Sequence, residues 1–316
     1  MLGALLLVGF LHLGTPLLAA MMSFFILQKL HWNGRRWLAV VLFAVLVAGV
    51  GYGLARFTRQ AVRALPTVAD KAIPSIIDYA EKHGVELPFT DWESLKALAM
   101  EEAKGQAQFL TGFANRATRE LILLLLGLVI AVSLFFNRKL DLDEGNHLIR
   151  NNLYSLTAGA ISRRFELFYK CFTTVMGAQI AIATINATLT AIFVIGVRLP
   201  HSAVMIGVTF LCGLVPVIGN LMSNAIIAAI AFTVSPKMAL IALGFLILIH
   251  KLEYFLNSKI IGDRIRNPVW LTLLGLVLGE KLMGIPGMIL APVVLNYIKA
   301  ETTRIEVAAQ PAPDSP

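Results

Sequence analysis

AVMIGVTFLCGLVPVIGNLMSNAIIAAIAFTV, residues 203–234, carries no charged side chain, and its centre is interrupted by Gly213-Leu-Val-Pro-Val-Ile-Gly219-Asn220. An apolar run of about 20 residues reads as one membrane-spanning helix. Here a proline and two glycines sit at membrane depth, where they release backbone N–H and C=O groups that lipid cannot satisfy. The loop must therefore be buried in protein or line water. This one stretch predicts a helical membrane protein with a broken element, which is more than an anchor requires.

The rest of the chain agrees. Of its 316 residues 57% are hydrophobic and 15% charged, and the mean hydropathy is +0.75, whereas an ordinary soluble domain is about a quarter charged. A water-soluble enzyme is excluded, because the apolar residues come in blocks of spanning length and do not form one oversized core. The fold class that follows is all-α: a polytopic transmembrane helical bundle of about seven to eight hydrophobic crossings, with broken or re-entrant helices and an extracytoplasmic helical insert. The formal charge is +8, from 27 Lys+Arg against 19 Asp+Glu. The basic residues lie between apolar blocks and form no nucleic-acid motif, so no nucleic-acid partner is indicated. The two cysteines, Cys171 and Cys212, have no Cys-x-x-Cys spacing, which points to buried thiols and to neither a disulfide scaffold nor a metal site.

Residues 1–55 read as N-terminal transmembrane helices. The first block runs without a charge to about Gln28 and is broken near Gly14 and Pro16, as one kinked span or a pair of half-spans; Trp37 to Ala55 is the second. Residues 56–120 form the one large hydrophilic stretch, with 9 Lys/Arg and 9 Asp/Glu. Pro66, Pro74, Gly84 and Pro88 are expected to cut this stretch into short amphipathic helices, one opened by the capping box Thr90-Asp91-Trp92-Glu93. Residues 121–136 are a further span, 137–170 a basic segment, and 171–298 the C-terminal transmembrane core. The core includes a long block from Cys171 to Val197, a span from Met238 to about Leu256, and two short apolar arms between Val269 and Ile298. Residues 299–316 form a tail whose Pro/Ala-rich end, from Ala308, is expected to be disordered.

Orientation follows from charge. Placing Lys29–Arg36 in the cytoplasm puts residues 137–170, 251–266 and the tail on the same side, with 15 Lys/Arg, against Arg198, Lys237 and Lys281 in the opposite short loops. This bias predicts a cytoplasmic C-terminus and an extracytoplasmic insert.

No His-Glu-x-x-His, Gly-x-Ser-x-Gly or Walker motif occurs, so neither an enzyme nor an ATP-driven pump is indicated, and no cofactor or metal is implied. The informative positions are ionisable groups next to apolar blocks. His250-Lys251-Leu-Glu253 ends the span from Met238, and Asp263 follows. Lipid disfavours a charged Glu253 while Lys251 or an arginine favours it, so a coupling carboxylate and an interfacial ion pair both remain open. Glu280 and Lys281 read as a solvated turn. Two broken-helix loops, at Pro216/Gly219 and at Gly284/Pro286/Gly287, are where transporters expose helix ends to a substrate. Gln179 and Asn186 lie within the Cys171–Val197 span, as packing glue or as a path lining.

These residues carry a resemblance. Pro216-Val-Ile-Gly219, Leu252-Glu253 followed by Ile260 and Gly262, then Pro268, and the close Gly284-Ile-Pro-Gly287-Met-Ile-Leu-Ala291-Pro292 resemble the C-terminal signature of the autoinducer-2 exporter family, also described as PerM-like permeases. The plan of the whole chain is similar, with Asn220 and Ser258 standing where the family often has proline. The resemblance implies a secondary transporter in the bacterial inner membrane, moving a small molecule such as an autoinducer-2-like signal, or an ion, outward without ATP. It also implies an alternative, Na+(Li+)/H+ exchange, with Glu253 or Asp263 as the carboxylate, while Asn220, Asn224, Gln179 and Asn186 would serve a sugar-like cargo. The family is associated with homo-oligomers, a pentamer being the suggested number, so the partners expected are the lipid bilayer, the solute and further copies of the chain. A reading from another class, a non-transporting membrane scaffold, would place a protein partner on the 56–120 insert.

Overall fold

The computed structural model describes residues 2–31, 34–82, 84, 107–137, 152–216, 218–261 and 268–305. Among them there is no strand. The helices are α1 (Leu2–Phe10), α2 (Gly14–Leu30), α3 (Arg36–Lys82), α4 (Ala107–Phe136), α5 (Leu153–Gly196), α6 (Ser202–Gly213), α7 (Ile218–Phe232), α8 (Pro236–Ile261), α9 (Val269–Met283) and α10 (Ile285–Thr302). The stretches Arg36–Gln60, Ala117–Phe136 and Leu153–Gly196 are each long and apolar enough to cross a membrane.

The first apolar block is two helices. The chain breaks at His12, whose φ is 53°, and Pro16 falls in the first turn of α2, where its missing N–H leaves no helical bond unmade. The second span corrects an expectation. Pro66 and Pro74 do not cut the hydrophilic stretch, because α3 continues through both to Lys82. Each proline removes one i to i−4 bond, and the turns on either side carry the helix on. The 47 residues of α3 make it about 70 Å long, more than twice the hydrocarbon thickness. The third span is likewise longer than its apolar part, starting at Ala107. The long block of the C-terminal core begins at Leu153, well inside the basic segment, because Asn152 caps it by accepting a 2.8 Å bond from the Ser155 N–H. The capping box at Thr90–Glu93 lies outside the described residues.

Helices α6 and α7, of 12 and 15 residues, are about 18 and 22 Å long, too short to cross. They enter and leave on one side. Val194 and Leu199 at the end of α5, Met205 on α6, Ile230 and Ala231 near the end of α7 and Ala239 near the start of α8 are buried in one cluster. The pair is therefore a re-entrant hairpin whose turn follows Gly213, at residues 214–216. The C-terminal arms α9 and α10 form a second hairpin around Gly284, whose φ of 64° and ψ of −144° belong to glycine. The two helices touch at their backbones, since a methyl group on Gly287 would overlap the Gly279 carbonyl. Val215, at the re-entrant tip, packs on Leu276, Met288 and Ala291 of this second hairpin.

Two further clusters complete the core. Met21 of α2, Leu167, Phe168, Phe172 and Met176 of α5, and Leu290, Val293 and Tyr297 of α10 are buried together, with Phe168 edge-on to Tyr297 at 5.5 Å. Leu27, Ala39, Phe43, Ala131 and Phe135 join α2, α3 and α4. Two ties join α3 to α4 and α5 to α10. Arg36 donates to the Phe136 carbonyl at 3.1 Å, and Arg164 pairs with Glu301 at 3.2 Å. Glu280 and Lys281 form an exposed pair at 3.7 Å, but they stand in the last helical turn of α9 and not in the turn the sequence suggests, because the helix runs on to Met283 before Gly284 breaks it. Because Phe172 is wholly buried, Phe172→Ala is expected to cost about 3 to 5 kcal/mol. A thermal unfolding midpoint in detergent equal to that of the wild type would refute this.

Candidate functional site

On α5, α7 and α8 the polar residues fall on single stripes. Gln179, Asn186 and Thr190 are spaced i, i+7, i+11; Asn220, Ser223 and Asn224 are spaced i, i+3, i+4; and His250 and Glu253 are spaced i, i+3. Packing α5, α6, α7 and α8 around the re-entrant hairpin turns these stripes toward each other. They enclose a cavity lined by Asn186, Thr190, Thr209, Asn220, Ser223, Asn224, His250 and Glu253, with Leu246 and Ile249 as its apolar wall. Its volume is about 10 Å³, the least space that admits one water.

The shortest contact across it joins two helices. The Asn220 Nδ2 group donates to both carboxylate oxygens of Glu253, at 2.6 and 2.7 Å. Asn220 lies in the first turn of α7, directly after the re-entrant loop, and Glu253 near the end of α8, so the pair ties the broken helix to its neighbour. Asn186 is 3% exposed and its Oδ1 has no hydrogen-bond partner among the described residues. A buried acceptor left unpaired costs about 1 to 3 kcal/mol. The cavity thus presents an unoccupied acceptor facing the space beside a carboxylate. The hydroxyls are satisfied locally: Thr209 donates to the Met205 carbonyl at 2.9 Å and Ser223 to the Asn220 carbonyl at 3.1 Å, leaving their oxygen lone pairs as acceptors.

The loop behind Asn220 is closed by backbone contact. Gly219 is buried, and a methyl group there would overlap the carbonyl of Cys212 on α6. Gly213, the last residue of α6, has its carbonyl bound by the Gln179 side-chain amide at 2.6 Å, which satisfies one orphan carbonyl of the helix end. Of the backbone at the Gly/Pro break, the Gly213 carbonyl is tied in this way, and the Leu214 and Val215 N–H groups donate back to Leu211 and Cys212 of α6. Gln179→Leu is accordingly expected to cost about 1 to 3 kcal/mol. Unfolding in detergent that is indistinguishable from the wild type would show that another group takes over the Gly213 carbonyl.

The residues singled out in the sequence therefore separate. Glu253, Asn220, Asn224 and Asn186 line the cavity. Pro216 and Gly219 shape the hairpin that carries it, and Gln179 ties the tip. Lys251 is exposed and is not among the lining residues, since one step along the helix from His250 turns it away from the stripe. Gly284, Pro286 and Gly287 build the second hairpin and do not line the cavity. Asp263 lies outside the described residues. Thr190, Thr209 and Ser223 are not among the residues singled out in the sequence. The helical spacing of Thr190 from Asn186 and of Ser223 from Asn220 is the signal that reaches two of them, whereas Thr209 stands alone on its helix.

Comparison with known proteins matches this arrangement to a family. Residues 1–306 match the model of the AI-2E family transporter. The protein YdbI of Bacillus subtilis (strain 168) is 31% identical over 125 residues, a match that covers 39% of this chain and 36% of YdbI; the shared part is thus about a third of the relative's length. A multi-pass helical membrane protein whose sequence matches from its first helix to its last described one, this chain belongs to the AI-2E transporter family.

Proposed function

We propose that this chain is a secondary transporter of the bacterial inner membrane that moves a small solute outward without ATP, with Glu253 as the proton-coupling carboxylate and its C-terminus in the cytoplasm. The observation that carries the reading is the Asn220–Glu253 tie between the broken helix and α8, at the wall of a buried polar cavity. An amide NH2 can only donate, so it needs acceptor oxygens on both sides. Protonation turns one Glu253 oxygen into a hydroxyl, which donates and is a weaker acceptor for Asn220, and it removes the charge that strengthens both bonds. Proton binding thereby loosens α7 from α8, and the re-entrant hairpin is the element free to respond.

The cargo class follows from chemistry and space. For an autoinducer-2-like molecule, Asn186, Asn220 and Asn224 supply the amide groups that bind hydroxyls, and the hairpin has to open, because the cavity in this state admits no more than about one water. The cavity size favours a second reading, exchange of Na+ or Li+ for protons, in which oxygens of Glu253, Asn186 and the hydroxyls surround a small cation. Neither cargo calls for a reaction at the site, so the chain acts as a carrier without enzymatic activity.

The test is reconstitution in liposomes with an imposed pH gradient, recording internal pH while sodium, lithium or autoinducer-2 is added in turn. Cation-dependent proton movement supports exchange, and uptake of labelled autoinducer-2 without an ion response supports signal export. Protein-containing vesicles that behave as empty ones with every solute would overturn both readings.

A further inference from the structure

A second hollow lies on the outside of the bundle. Helix α3 passes α6 with Phe57 pressed against Gly207, where an added methyl would meet the Phe57 ring at 2.7 Å. This contact sets the roll of α3 about its axis. Gly51, Leu54, Ala55, Thr58, Arg59 and Arg63, all on this one helix, line a shallow hollow that is open over most of its surface. At about 100° per residue these positions centre on the side of α3 away from Phe57, so the hollow faces the surroundings of the bundle. All six residues are exposed.

The lining is graded along the helix. Gly51, Leu54 and Ala55 lie inside the apolar span Arg36–Gln60. Arg59 and Arg63 stand one and two turns beyond them, at the end of that span opposite Arg36. From 56 to 69 the chain has three arginines and no acidic residue, although the whole hydrophilic stretch is balanced. Arg56 lies over the Tyr52 ring at 5.9 Å, whereas neither Arg59 nor Arg63 pairs with a carboxylate among the described residues. Two guanidinium groups one turn apart, above a small-residue apolar floor, match a phosphate with an acyl chain attached.

We infer that the α3 hollow is a binding site for an anionic phospholipid of the leaflet on the Arg63 side of the membrane, its phosphate held by Arg59 and Arg63 and its chain lying along Gly51, Leu54 and Ala55. A free phosphate has no use for the apolar floor, and a zwitterionic lipid brings an ammonium group against two arginines. The site is separate from the Glu253 cavity and does not rest on the transport reading.

The test is native mass spectrometry of the full chain, released from detergent and titrated with phosphatidylglycerol or phosphatidylcholine. The wild type is expected to retain phosphatidylglycerol preferentially. Arg59→Gln/Arg63→Gln is expected to weaken that retention by about tenfold or more, leaving phosphatidylcholine binding and the thermal midpoint unchanged. Equal retention of the two lipids by the wild type, or the same phosphatidylglycerol affinity in the double variant, overturns the inference. Release of the bound lipid by millimolar inorganic phosphate assigns the arginines to a free anion and overturns it too. So does a disulfide-linked dimer formed through Ala55→Cys in a Cys171→Ser/Cys212→Ser background, which places a second copy in the hollow.

Discussion

Gly219→Ala is expected to eliminate most of the folded protein, and Gly219→Val to eliminate all of it. The position is buried where α7 begins, and any β-carbon would occupy the space of the Cys212 carbonyl. That carbonyl belongs to the backbone of α6, whose end is already tied to Gln179 and whose following loop is packed by Val215 on the second hairpin. Backbone cannot move aside as a flexible side chain does, so the hairpin must splay, at a cost of about 3 kcal/mol or more. Splaying also draws Asn220 away from Glu253, coupling the packing defect to the candidate site. The internal control is Gly244→Ala on α8, where nothing stands within 4 Å of the added methyl and helix propensity improves by up to about 1 kcal/mol. Membrane yield and the size-exclusion profile of both variants decide the matter. A monodisperse Gly219→Ala protein at wild-type yield would mean that α6 and α7 do not touch there.

Glu253→Gln is expected to leave folding intact and abolish proton-coupled flux in the liposome assay. The change is isosteric and keeps one amide oxygen for Asn220, so of the two bonds at 2.6 and 2.7 Å one survives. The loss should fall within about 1.5 to 3 kcal/mol of the tie between α7 and α8, the range for bonds to a charged acceptor. What is removed entirely is the ability to switch between acceptor and donor. Asn220→Ala separates position from titration: it keeps the carboxylate but frees α7, so flux is expected to persist with weakened dependence on the pH gradient. Proton-coupled flux in Glu253→Gln at the wild-type rate would sink the assignment of the carboxylate while leaving membership of the transporter family untouched.

Much of the architecture is legible in the chain because lipid imposes one rule everywhere: every backbone polar group must be satisfied within the protein. From that rule, uncharged runs become helices, and the break that begins at Gly213 becomes the turn between two short helices packed on their neighbours. Helix length is less legible. Pro66 and Pro74 are read locally as breakers, yet α3 runs past both to Lys82, since a helix already nucleated in the membrane needs only the neighbouring bonds to continue. The basic segment before Cys171 likewise hides the first five or so turns of α5 behind its charges.

The site divides in the same way. Composition and spacing single out Glu253 as a carboxylate at the end of an apolar block and place Asn220 beside the broken loop. The sequence holds these two residues 33 positions apart, on segments whose relative placement no periodicity specifies. Only the tertiary structure decides that they meet, that Asn186 and Glu253 share a cavity, that Lys251 is turned away, and that Gln179 serves a helix end. The reason is physical. Hydropathy and helical period are set by residues within a turn or two of each other, while the Asn220–Glu253 tie depends on how α6 and α7 fold back together, and that is settled by a backbone contact at Gly219 which no side-chain pattern announces.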